Sequence, residues 1–247
     1  MEISLLTYNI YYNKAFSKLQ ELVAMYRPDI ICLQEVDVKN QFLEKKLPQN
    51  YSLADCSNSF IHKDVMFGNA TFYNKTKLDF KQSTVFNLPF STYETLYNLF
   101  QGVKQNRTLL KTIFTLKDTS IELDIYNIHF TPKATNRTRI KQMNLAFNNT
   151  LPDISHPQIF AGDFNYPFRR KRFEKIFHKY DLLEATSNIT HTLEHKFKFI
   201  RIPLKLDYIL YKNIEFIKTT KITTPGSDHY PILSEFNIQY NNHDTIL

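Results

Sequence analysis

The sequence of 247 residues is poor in the residue types that build disulfide scaffolds and zinc sites. It has two cysteines, of which Cys32 lies in an apolar run and Cys56 in a polar stretch. Two cysteines placed in this way exclude a disulfide framework and provide no Cys/His spacing for zinc. We therefore expect a reduced, cytoplasmic setting.

Long apolar runs are also missing. No stretch reaches the roughly 18 consecutive apolar residues that a membrane-spanning helix requires. Residues 3–10 read as a strand, and the segment around them lacks the basic start and the small-residue cleavage site of a signal peptide. These absences agree with a cytoplasmic protein, although a mature secreted protein whose leader had been removed would look the same.

Glycine is scarce, with four in the whole chain. Gly162 directly precedes Asp163, and Gly226 stands two residues before Asp228, each beside an apolar run. A residue that is used so rarely is expected where the backbone requires it. The two glycines therefore mark candidate functional turns, with an ordinary surface turn as the alternative.

Positive charge is in excess. The chain has 31 Lys and Arg against 24 Asp and Glu, a net charge of +7, and it carries 21 Phe and 15 Tyr but no Trp. This balance favours a polyanionic partner, either a nucleic acid or an anionic membrane surface. Aromatic rings can stack on bases, but most are expected in the core. Nothing indicates an obligate protein partner, and we expect a monomer.

Apolar, strand-like runs recur along the chain and alternate with helical patterns. The runs are residues 3–10, 29–36, 65–73, 108–116, 121–130, 157–163, 206–211 and 231–238. Apolar stripes at helical spacing occur at 16–26, 140–147 and 173–180. Because no linker or repeat divides the chain, the pattern predicts one mixed α/β domain over residues 1–247, with two packed sheets and helices outside.

Polar residues of catalytic type stand at the ends of these runs. They are Asn9, Glu35, Asn127, His129, Asp163, Asn165, Asp207, Asp228 and His229. Carboxylates and amides without thiols make a hard oxygen site, which suits Mg²⁺ or Mn²⁺. Histidines and carboxylates beside such a site can transfer protons. The combination predicts metal-dependent hydrolysis of a phosphate ester.

Six short motifs carry a resemblance to a known family. They are Thr7-Tyr8-Asn9, Leu33-Gln34-Glu35-Val36, Asn127-Ile128-His129, Gly162-Asp163-Phe164-Asn165, Leu206-Asp207-Tyr208 and Ser227-Asp228-His229. In this order they resemble the endonuclease/exonuclease/phosphatase superfamily, which includes deoxyribonuclease I, exonuclease III and the inositol-polyphosphate 5-phosphatases. The resemblance covers almost the whole chain. It implies a four-layer α/β sandwich of the deoxyribonuclease I type, in which helices flank two packed mixed β-sheets.

The resemblance also implies where the metal and the attacking water lie. Glu35 would be the principal metal ligand, with Asn9 and Asp228 close to it. Asp163 would orient or deprotonate the attacking water. Asn165 would bind the scissile phosphate.

The remaining roles concern the two histidines. Asp207 would hold His229 by a hydrogen bond while the imidazole contacts the phosphate or transfers a proton. His129 would contact the phosphate or protonate the leaving oxygen, and Asn127 would support the turn that holds it. The tyrosine and the Pro-Asn that abasic-site endonucleases carry at 127–129 are missing here, which argues against abasic-site repair.

Basic clusters near these motifs bear on the substrate. Arg169, Arg170, Lys171 and Arg172 follow the Gly-Asp-Phe-Asn motif, and similar clusters occur at 133–141 and 196–205. These clusters, with Arg107 as a further phosphate contact, predict binding to a nucleic-acid backbone. The alternative for each cluster is a solvated surface.

Two other functions fit the sequence less well. The first is a phosphatase or phosphodiesterase for lipid or inositol headgroups. Its basic face would sit on an anionic membrane, with the aromatic residues 90–100 of the segment 87–107 at the interface. The second is a catalytically silent nucleic-acid-binding protein, which the complete set of site residues disfavours. The motifs do not separate DNA from RNA, or endonucleolytic from exonucleolytic cleavage.

Overall fold

A computed structural model describes residues 1–39, 44–89, 95–96, 107–150, 156–197 and 200–239. Its first six-stranded sheet, sheet I, contains in spatial order β13 (Glu215–Lys221), β14 (Ile232–Asn237), β1 (Glu2–Asn9), β2 (Ile30–Asp37), β4 (Val65–Asn74) and β3 (Tyr51–His62). Sheet II contains β5 (Leu78–Asn87), β6 (Thr108–Leu116), β7 (Glu122–His129), β8 (Gln158–Asp163), β12 (Asp207–Lys212) and β9 (Leu183–Glu184). A separate hairpin pairs β10 (Leu193–Phe197) with β11 (Ile200–Leu204).

Both sheets are mixed. In sheet I, β1 and β2 are parallel, and in sheet II, β7 and β8 are parallel, whereas the other pairs are antiparallel. Three helices accompany them among the described residues: α1 (Phe16–Tyr26), α2 (Asn136–Thr150) and α3 (Arg170–His178). A short 3₁₀ turn covers Glu44–Lys46.

Three apolar clusters define four layers. The central cluster joins inward side chains of both sheets, such as Leu5 of sheet I and Ile125 of sheet II. The outer face of sheet I packs on α1 through Leu19, and that of sheet II packs on α2 and α3 through Phe147 and Phe173. The structure therefore confirms the predicted four-layer sandwich. The expectation of one domain over 1–247 stays a prediction.

The eight predicted strands are present, with ends that differ by at most one residue, and all three predicted helices are present. The sequence interpretation missed β3, β5, β9 and β13, which are the edge strands of the two sheets, and the hairpin strands β10 and β11. Most side chains of β5 and β13 are exposed or half-buried. Without a buried face, such strands carry no apolar run or strict alternation. The aromatic segment 87–107 lies mostly outside the described residues.

No helix in the described part of the chain has the length and apolar character to span a membrane.

Side-chain alternation explains why polar groups collect between the sheets at one end. Successive strand residues point to opposite faces, so Asn9 continues the inward series of Ile3 and Leu5. In β8, Asp163 likewise continues the series of Ile159 and Ala161. The inward rows are thus apolar along most of their length and polar at the end where the site lies.

Glu35 reaches the same space by a different device. The pairing of β2 with β4 shifts between Leu33 and Val36, and Glu35 has a left-handed φ of 59°. A bulge re-aims a side chain in this way at the cost of local strain. It brings the Glu35 carboxylate into hydrogen-bond range of Asn9.

Gly162 allows β8 to approach β7 closely. Its φ is +140°, and a Cβ built on it would lie 2.0 Å from the Ile128 carbonyl oxygen. Any side chain would clash with that backbone, so only glycine places Asp163 at this depth. The prediction that this scarce glycine serves a backbone requirement is confirmed.

A layer of buried polar side chains joins the two sheets beneath the site. Gln34 Nε2 of sheet I donates to Asn127 Oδ1 of sheet II at 2.9 Å. Asn127 Nδ2 lies within hydrogen-bond range of the carbonyl oxygens of Leu33 and Ala70, at 3.2 and 3.0 Å. Asn127 therefore cross-links the sheets, which the sequence interpretation did not anticipate.

Candidate active site

Asn9 connects two buried carboxylates from different sheets. Its Nδ2 lies 3.3 Å from Glu35 Oε1 and 3.2 Å from Asp163 Oδ2, and both contacts are hydrogen bonds. Asn9 Oδ1 accepts the Tyr11 N–H at 3.1 Å, which fixes the orientation of the amide. The first elements of the predicted site are thus brought together across the interface of the sheets.

His129 lies beside this pair at the end of β7. Its Nε2 is 3.7 Å from Asp163 Oδ2 and 3.9 Å from Glu35 Oε1, and the residue is 1% exposed. Neither ring nitrogen has a hydrogen-bond partner among the described residues. Since a buried imidazole normally satisfies its nitrogens, these two atoms point to a bound ligand or water.

His229 is held by a buried dyad. Its Nδ1 lies 2.8 Å from Asp207 Oδ2, and the same carboxylate oxygen accepts the Thr192 hydroxyl at 2.6 Å. Thr192 Oγ1 in turn accepts the backbone N–H groups of Leu206 and Asp207, at 2.9 and 3.0 Å. The imidazole therefore presents Nε2 towards Asp163 Oδ2, 3.8 Å away.

Asn165 fixes the other oxygen of Asp163. Its backbone N–H donates to Asp163 Oδ1 at 2.8 Å, and its Nδ2 donates to the Phe130 carbonyl at 2.9 Å. Asn165 has a left-handed φ of 49°, a conformation that asparagine tolerates better than most residues. The turn thereby leaves Asp163 Oδ2 facing Asn9 and the histidines.

Asp228 approaches from the loop before β14. The Ser227 hydroxyl donates to the Asn9 carbonyl at 2.7 Å, and it accepts the His229 backbone N–H at 3.1 Å. This serine ties the loop to the end of β1, so the Asp228 charge acts on Glu35 and His229. Ser227 was part of a recognised motif, but no role was predicted for it.

The two histidines have opposite protonation tendencies. Burial lowers the pKa of His129 well below its usual value, and the charges of Arg107 and His229 lower it further. For His229, burial alone would lower the pKa, but the carboxylates of Asp207, Asp163 and Asp228 raise it to about 10. Their surroundings therefore favour a neutral imidazole at His129 and an imidazolium at His229.

Burial also disfavours the charged form of two carboxyl groups at the site, those of Glu35 and Asp163. Burial raises the pKa of Glu35, although His229, Asn9 and Arg107 act in the opposite direction. Burial likewise raises the pKa of Asp163 to about 7, despite the nearby charge of His229. Negative charge at this point is incompletely offset by the protein, which is the condition that a bound cation would relieve.

The donor set fits a hard divalent cation. Glu35, Asp163 and Asp228 offer carboxylate oxygens. The described residues that hydrogen-bond to Glu35 and Asp163 include no cysteine. Asp163, Asp207 and His229 also bring one potential ligand atom each within 4.8 Å of one another. We favour the Glu35 side, because Asp207 Oδ2 and His229 Nδ1 are already bonded to each other.

Arg107 lies beside the same group, at the start of β6. It is 5% exposed, and its guanidinium carbon is 4.6 Å from the centroid of the Phe60 ring. Its positive charge acts on both Glu35 and His129. The structure thus places this predicted phosphate contact at the site rather than on an exposed strand end.

The arginine run divides into two kinds of residue. Arg170 is half-buried and forms ion pairs with Glu174 and Glu184. Arg169, Lys171 and Arg172 are exposed at the start of α3. Arg170 therefore has a structural use that the sequence did not reveal, and only the other three present charge to solvent.

The neighbouring basic clusters divide in a similar way. Arg139 is buried and donates to the carbonyls of Thr131 and Pro132, which braces the loop after His129. Lys133 and Arg137 are exposed. In the third cluster, Lys205 pairs with Glu184, and the side chains of 195–201 lie outside what the structure describes.

Sequence reasoning missed Thr192, which holds Asp207, and Tyr12, whose backbone N–H donates to Glu35 Oε2 at 3.2 Å. Thr192 lies outside every recognised motif, so only the fold brings it to the dyad. Tyr12 is three residues after Asn9, within the turn that follows β1. The only sign of its role in the sequence was its position just after Asn9, a catalytic-type residue at the end of a strand.

A model of the Endonuclease/Exonuclease/phosphatase family matches residues 6–229. Among solved structures, an endonuclease/exonuclease/phosphatase family protein from Bacteroides thetaiotaomicron has a TM-score of 0.79 at 17% identity, with 97% of this chain and 99% of that chain covered. A mannosyl-6-phosphatase from the same species has a TM-score of 0.75 at 16% identity, covering 95% and 99%. TDP2 from D. rerio, complexed with single strand DNA product, has a TM-score of 0.73 at 17% identity, covering 96% and 99%. These TM-scores establish a shared fold.

The Thr192 hydroxyl is expected to support the dyad energetically. Thr192→Val removes one hydrogen bond to Asp207 and leaves two buried N–H groups without their acceptor, so we expect a loss of about 1–3 kcal/mol in the free energy of unfolding. Urea denaturation monitored by tyrosine fluorescence measures it. Thr190→Val, at an exposed threonine two residues away, is the matched control. Equal stability of both variants would contradict this role.

Proposed function

Because the chain belongs to the Endonuclease/Exonuclease/phosphatase family, whose members are phosphoester hydrolases, we propose that it is a divalent-metal-dependent phosphodiesterase that cleaves nucleic acid. One observation carries the hydrolytic part of this proposal. Two buried histidines, His129 and His229, face one buried carboxylate, Asp163, which Asn9 links to a second carboxylate, Glu35. Such a site can accept a proton and stabilise negative charge within a few ångströms.

Glu35 is the proposed principal ligand of the metal, with Asn9 and Asp228 beside it. A bound Mg²⁺ or Mn²⁺ would offset negative charge on the phosphoryl oxygens. Two hydrogen bonds hold the Glu35 carboxylate in place, from Asn9 Nδ2 and from the Tyr12 backbone N–H. They keep it in the direction that the bulge gives it, where the Glu35 backbone has a left-handed φ of 59°.

Asp163 is the proposed base for the attacking water. Each oxygen of Asp163 accepts one hydrogen bond, Oδ1 from the Asn165 N–H and Oδ2 from Asn9 Nδ2. Oδ2 also faces both histidines, and its second lone pair is the one proposed to take the proton. Burial raises the pKa of this carboxyl to about 7, close to the range in which a general base is most effective at neutral pH. As the water loses its proton to Asp163, its oxygen bonds to phosphorus. The P–O ester bond breaks with its electron pair on the leaving oxygen, which takes a proton from solvent water.

His229 is proposed to stabilise a non-bridging phosphoryl oxygen. In-line displacement puts the attacking and leaving oxygens on opposite sides of phosphorus. His229 Nε2 is 3.8 Å from Asp163 Oδ2. Two groups this close lie on the same side of phosphorus, that of the attacking water, and not on the side of the leaving oxygen. Asp207 keeps the ring oriented and positively charged, as the raised pKa of His229 indicates.

His129 is proposed to contact the phosphate as a neutral group. Its lowered pKa disfavours the imidazolium, so it is a poor proton donor to the leaving oxygen. Its Nε2 has no hydrogen-bond partner among the described residues and lies 3.9 Å from Glu35 and 3.7 Å from Asp163, where a phosphoryl oxygen or its water would sit. Asn165 would assist, although its amide also donates to Phe130.

Charge supports nucleic acid as the substrate. The net charge is +7, and Arg169, Lys171 and Arg172 are exposed shortly after Asn165. Asn136 Nδ2 donates to the Phe168 carbonyl at 2.9 Å, which joins this loop to the start of α2, where Arg137 is exposed. Two basic clusters thus share one surface, and Phe168, 67% exposed, stands between them.

The structural neighbours do not choose the substrate, since one is a sugar phosphatase and another holds single-stranded DNA. A lipid substrate would require an apolar surface for the membrane. The aromatic segment proposed for it lies mostly outside the described residues. The basic surface is therefore the observation that favours nucleic acid.

Hydrolysis is expected to require the metal through Glu35. Excess chelator should abolish cleavage of DNA or RNA, and Mg²⁺ should restore it. Glu35→Gln should raise the Mg²⁺ concentration for half-maximal activity about tenfold or more, because even outer-shell changes typically cost 10–100-fold. Glu21→Gln, at an exposed helix position, is the control. Full activity in excess chelator would refute the proposed metal dependence.

Asp207 and His229 are expected to act as one unit. Asp207→Asn and His229→Ala should each lower kcat by about 10²-fold or more. The double variant should lose little beyond the more damaging single change, because both remove the same imidazolium. Steady-state rates on one oligonucleotide measure this, with His178→Ala at an exposed histidine as the control. Fully additive losses would mean that the two groups act independently.

The exposed basic residues are expected to set the salt dependence of binding. Replacing Arg169, Lys171 and Arg172 with Gln should reduce the slope of log affinity against log salt by about 0.9 for each lost phosphate contact on duplex DNA. The weakening should be alike for all sequences, because phosphate contacts carry no base information. Arg170 is kept, since its ion pairs are structural.

The matched control removes the same amount of positive charge at the end of sheet I that lies away from the site. Lys45, Lys46 and Lys75 are exposed there, and their replacement with Gln should leave the slope unchanged. If the first triple variant keeps its DNA affinity and slope but detaches from anionic vesicles, the substrate is a lipid rather than a nucleic acid.

A further inference from the structure

An aromatic cluster adjoins the site, and its rings take no part in the proposed chemistry. It consists of Tyr12, from the turn after β1, and of Phe60, His62 and Phe67, from the hairpin of β3 and β4. We call these four residues the aromatic wall. Phe60 and Phe67 are buried, Tyr12 is half-buried and His62 is exposed.

The rings of the wall form a continuous path from solvent to the site. The His62 imidazole stacks on the Tyr12 ring, with centroids 4.5 Å apart and planes 22° apart. Tyr12 meets Phe60 edge-on at 6.1 Å, and Phe60 meets His129 edge-on at 5.9 Å. These contacts connect the exposed His62 ring, through Tyr12 and Phe60, to His129 at the site.

The backbone that carries Tyr12 is strained. Tyr11, Tyr12 and Asn13 have left-handed φ values of 47°, 52° and 64° in succession. Such values are costly for bulky residues and persist where the surroundings impose them. Here Glu35 imposes them, since its carboxylate accepts the Tyr12 N–H and its carbonyl accepts the Asn13 N–H at 3.2 Å each.

The hairpin tip that presents His62 is strained as well. Lys63 and Asp64 have φ values of 48° and 63°, a conformation that usually requires Gly or Asn in a two-residue turn. The stacked pair of His62 and Tyr12 therefore lies between two segments whose backbone is held in an uncommon conformation.

The wall is neutral and has cations beside it. Burial, together with the charge of Glu35, raises the pKa of the Tyr12 phenol to about 12, so the ring carries no charge. The Arg107 guanidinium lies over the Phe60 ring, and Lys14 Nζ lies 3.9 Å from the centroid of the Tyr11 ring. Neutral rings flanked by positive charge suit a planar base attached to phosphates.

We propose that His62 and Tyr12 form a stacking subsite for one nucleobase of the substrate, next to the phosphate that the site cleaves. This inference rests on the proposed nuclease function and adds a residue-level account of how the chain is placed. The subsite selects for the presence of a base rather than for its identity, because every base offers a face for stacking.

The test compares intact single-stranded DNA pentamers with pentamers in which one nucleoside at a time is replaced by an abasic tetrahydrofuran residue. Affinities are measured by fluorescence anisotropy in the Asp163→Asn protein with Mg²⁺, and cleavage is measured with the native chain. Each affinity is repeated with His62→Ala, Tyr12→Leu or Tyr12→Phe added. Tyr26→Leu, at an exposed tyrosine that ends α1, is the control.

We expect the abasic residue at one position to cost about tenfold or more in affinity, within the range of base–aromatic stacking. That cost should disappear with His62→Ala or Tyr12→Leu and persist with Tyr12→Phe and with Tyr26→Leu. His62→Ala decides the question if Tyr12→Leu fails to fold, because His62 is exposed.

Two results would overturn the subsite. Affinity could be indifferent to every base, or the abasic cost could survive both ring removals. Cleavage by the native chain would in either case leave the proposed function intact. Conversely, ring-dependent base binding without cleavage of DNA or RNA would support the subsite and reject the nuclease.

Discussion

The contact between Gln34 and Asn127 is the constraint on which the site depends. It joins sheet I to sheet II at 2.9 Å, inside a layer where both amides are fully buried. Buried amides are costly unless satisfied, so the two sheets can pack only in the register that pairs them. That register also brings Asn9 of sheet I to Asp163 of sheet II.

Two histidines above this layer, His129 and His229, lie in different environments. His129 lies near Arg107 and has no hydrogen-bond partner on its ring within the described chain, so burial keeps it neutral. His229 is as deeply placed but bonds to Asp207 and faces Asp163, so it remains charged. Environment, rather than residue type, gives the two histidines opposite protonation tendencies.

The surface shows the same dependence on context. Arg169 and Arg170 are adjacent in sequence, yet the first is exposed and the second is held by Glu174 and Glu184. A basic run therefore overstates the charge available to a substrate. The exposed remainder lies on a loop that Asn136 ties to α2, and it is this grouping that supports a nucleic-acid partner.

The six motifs predicted the sandwich through their resemblance to the family, and the roles of their residues stay predictions. Alternation along a strand explains why their polar side chains meet between the sheets. Edge strands such as β5 escaped prediction, since they lack a buried face. The dyad partner Thr192 and the stacked pair of His62 and Tyr12 depend on segments that are distant in sequence and meet only after folding. Their contacts are set by sheet packing, and no local pattern encodes that.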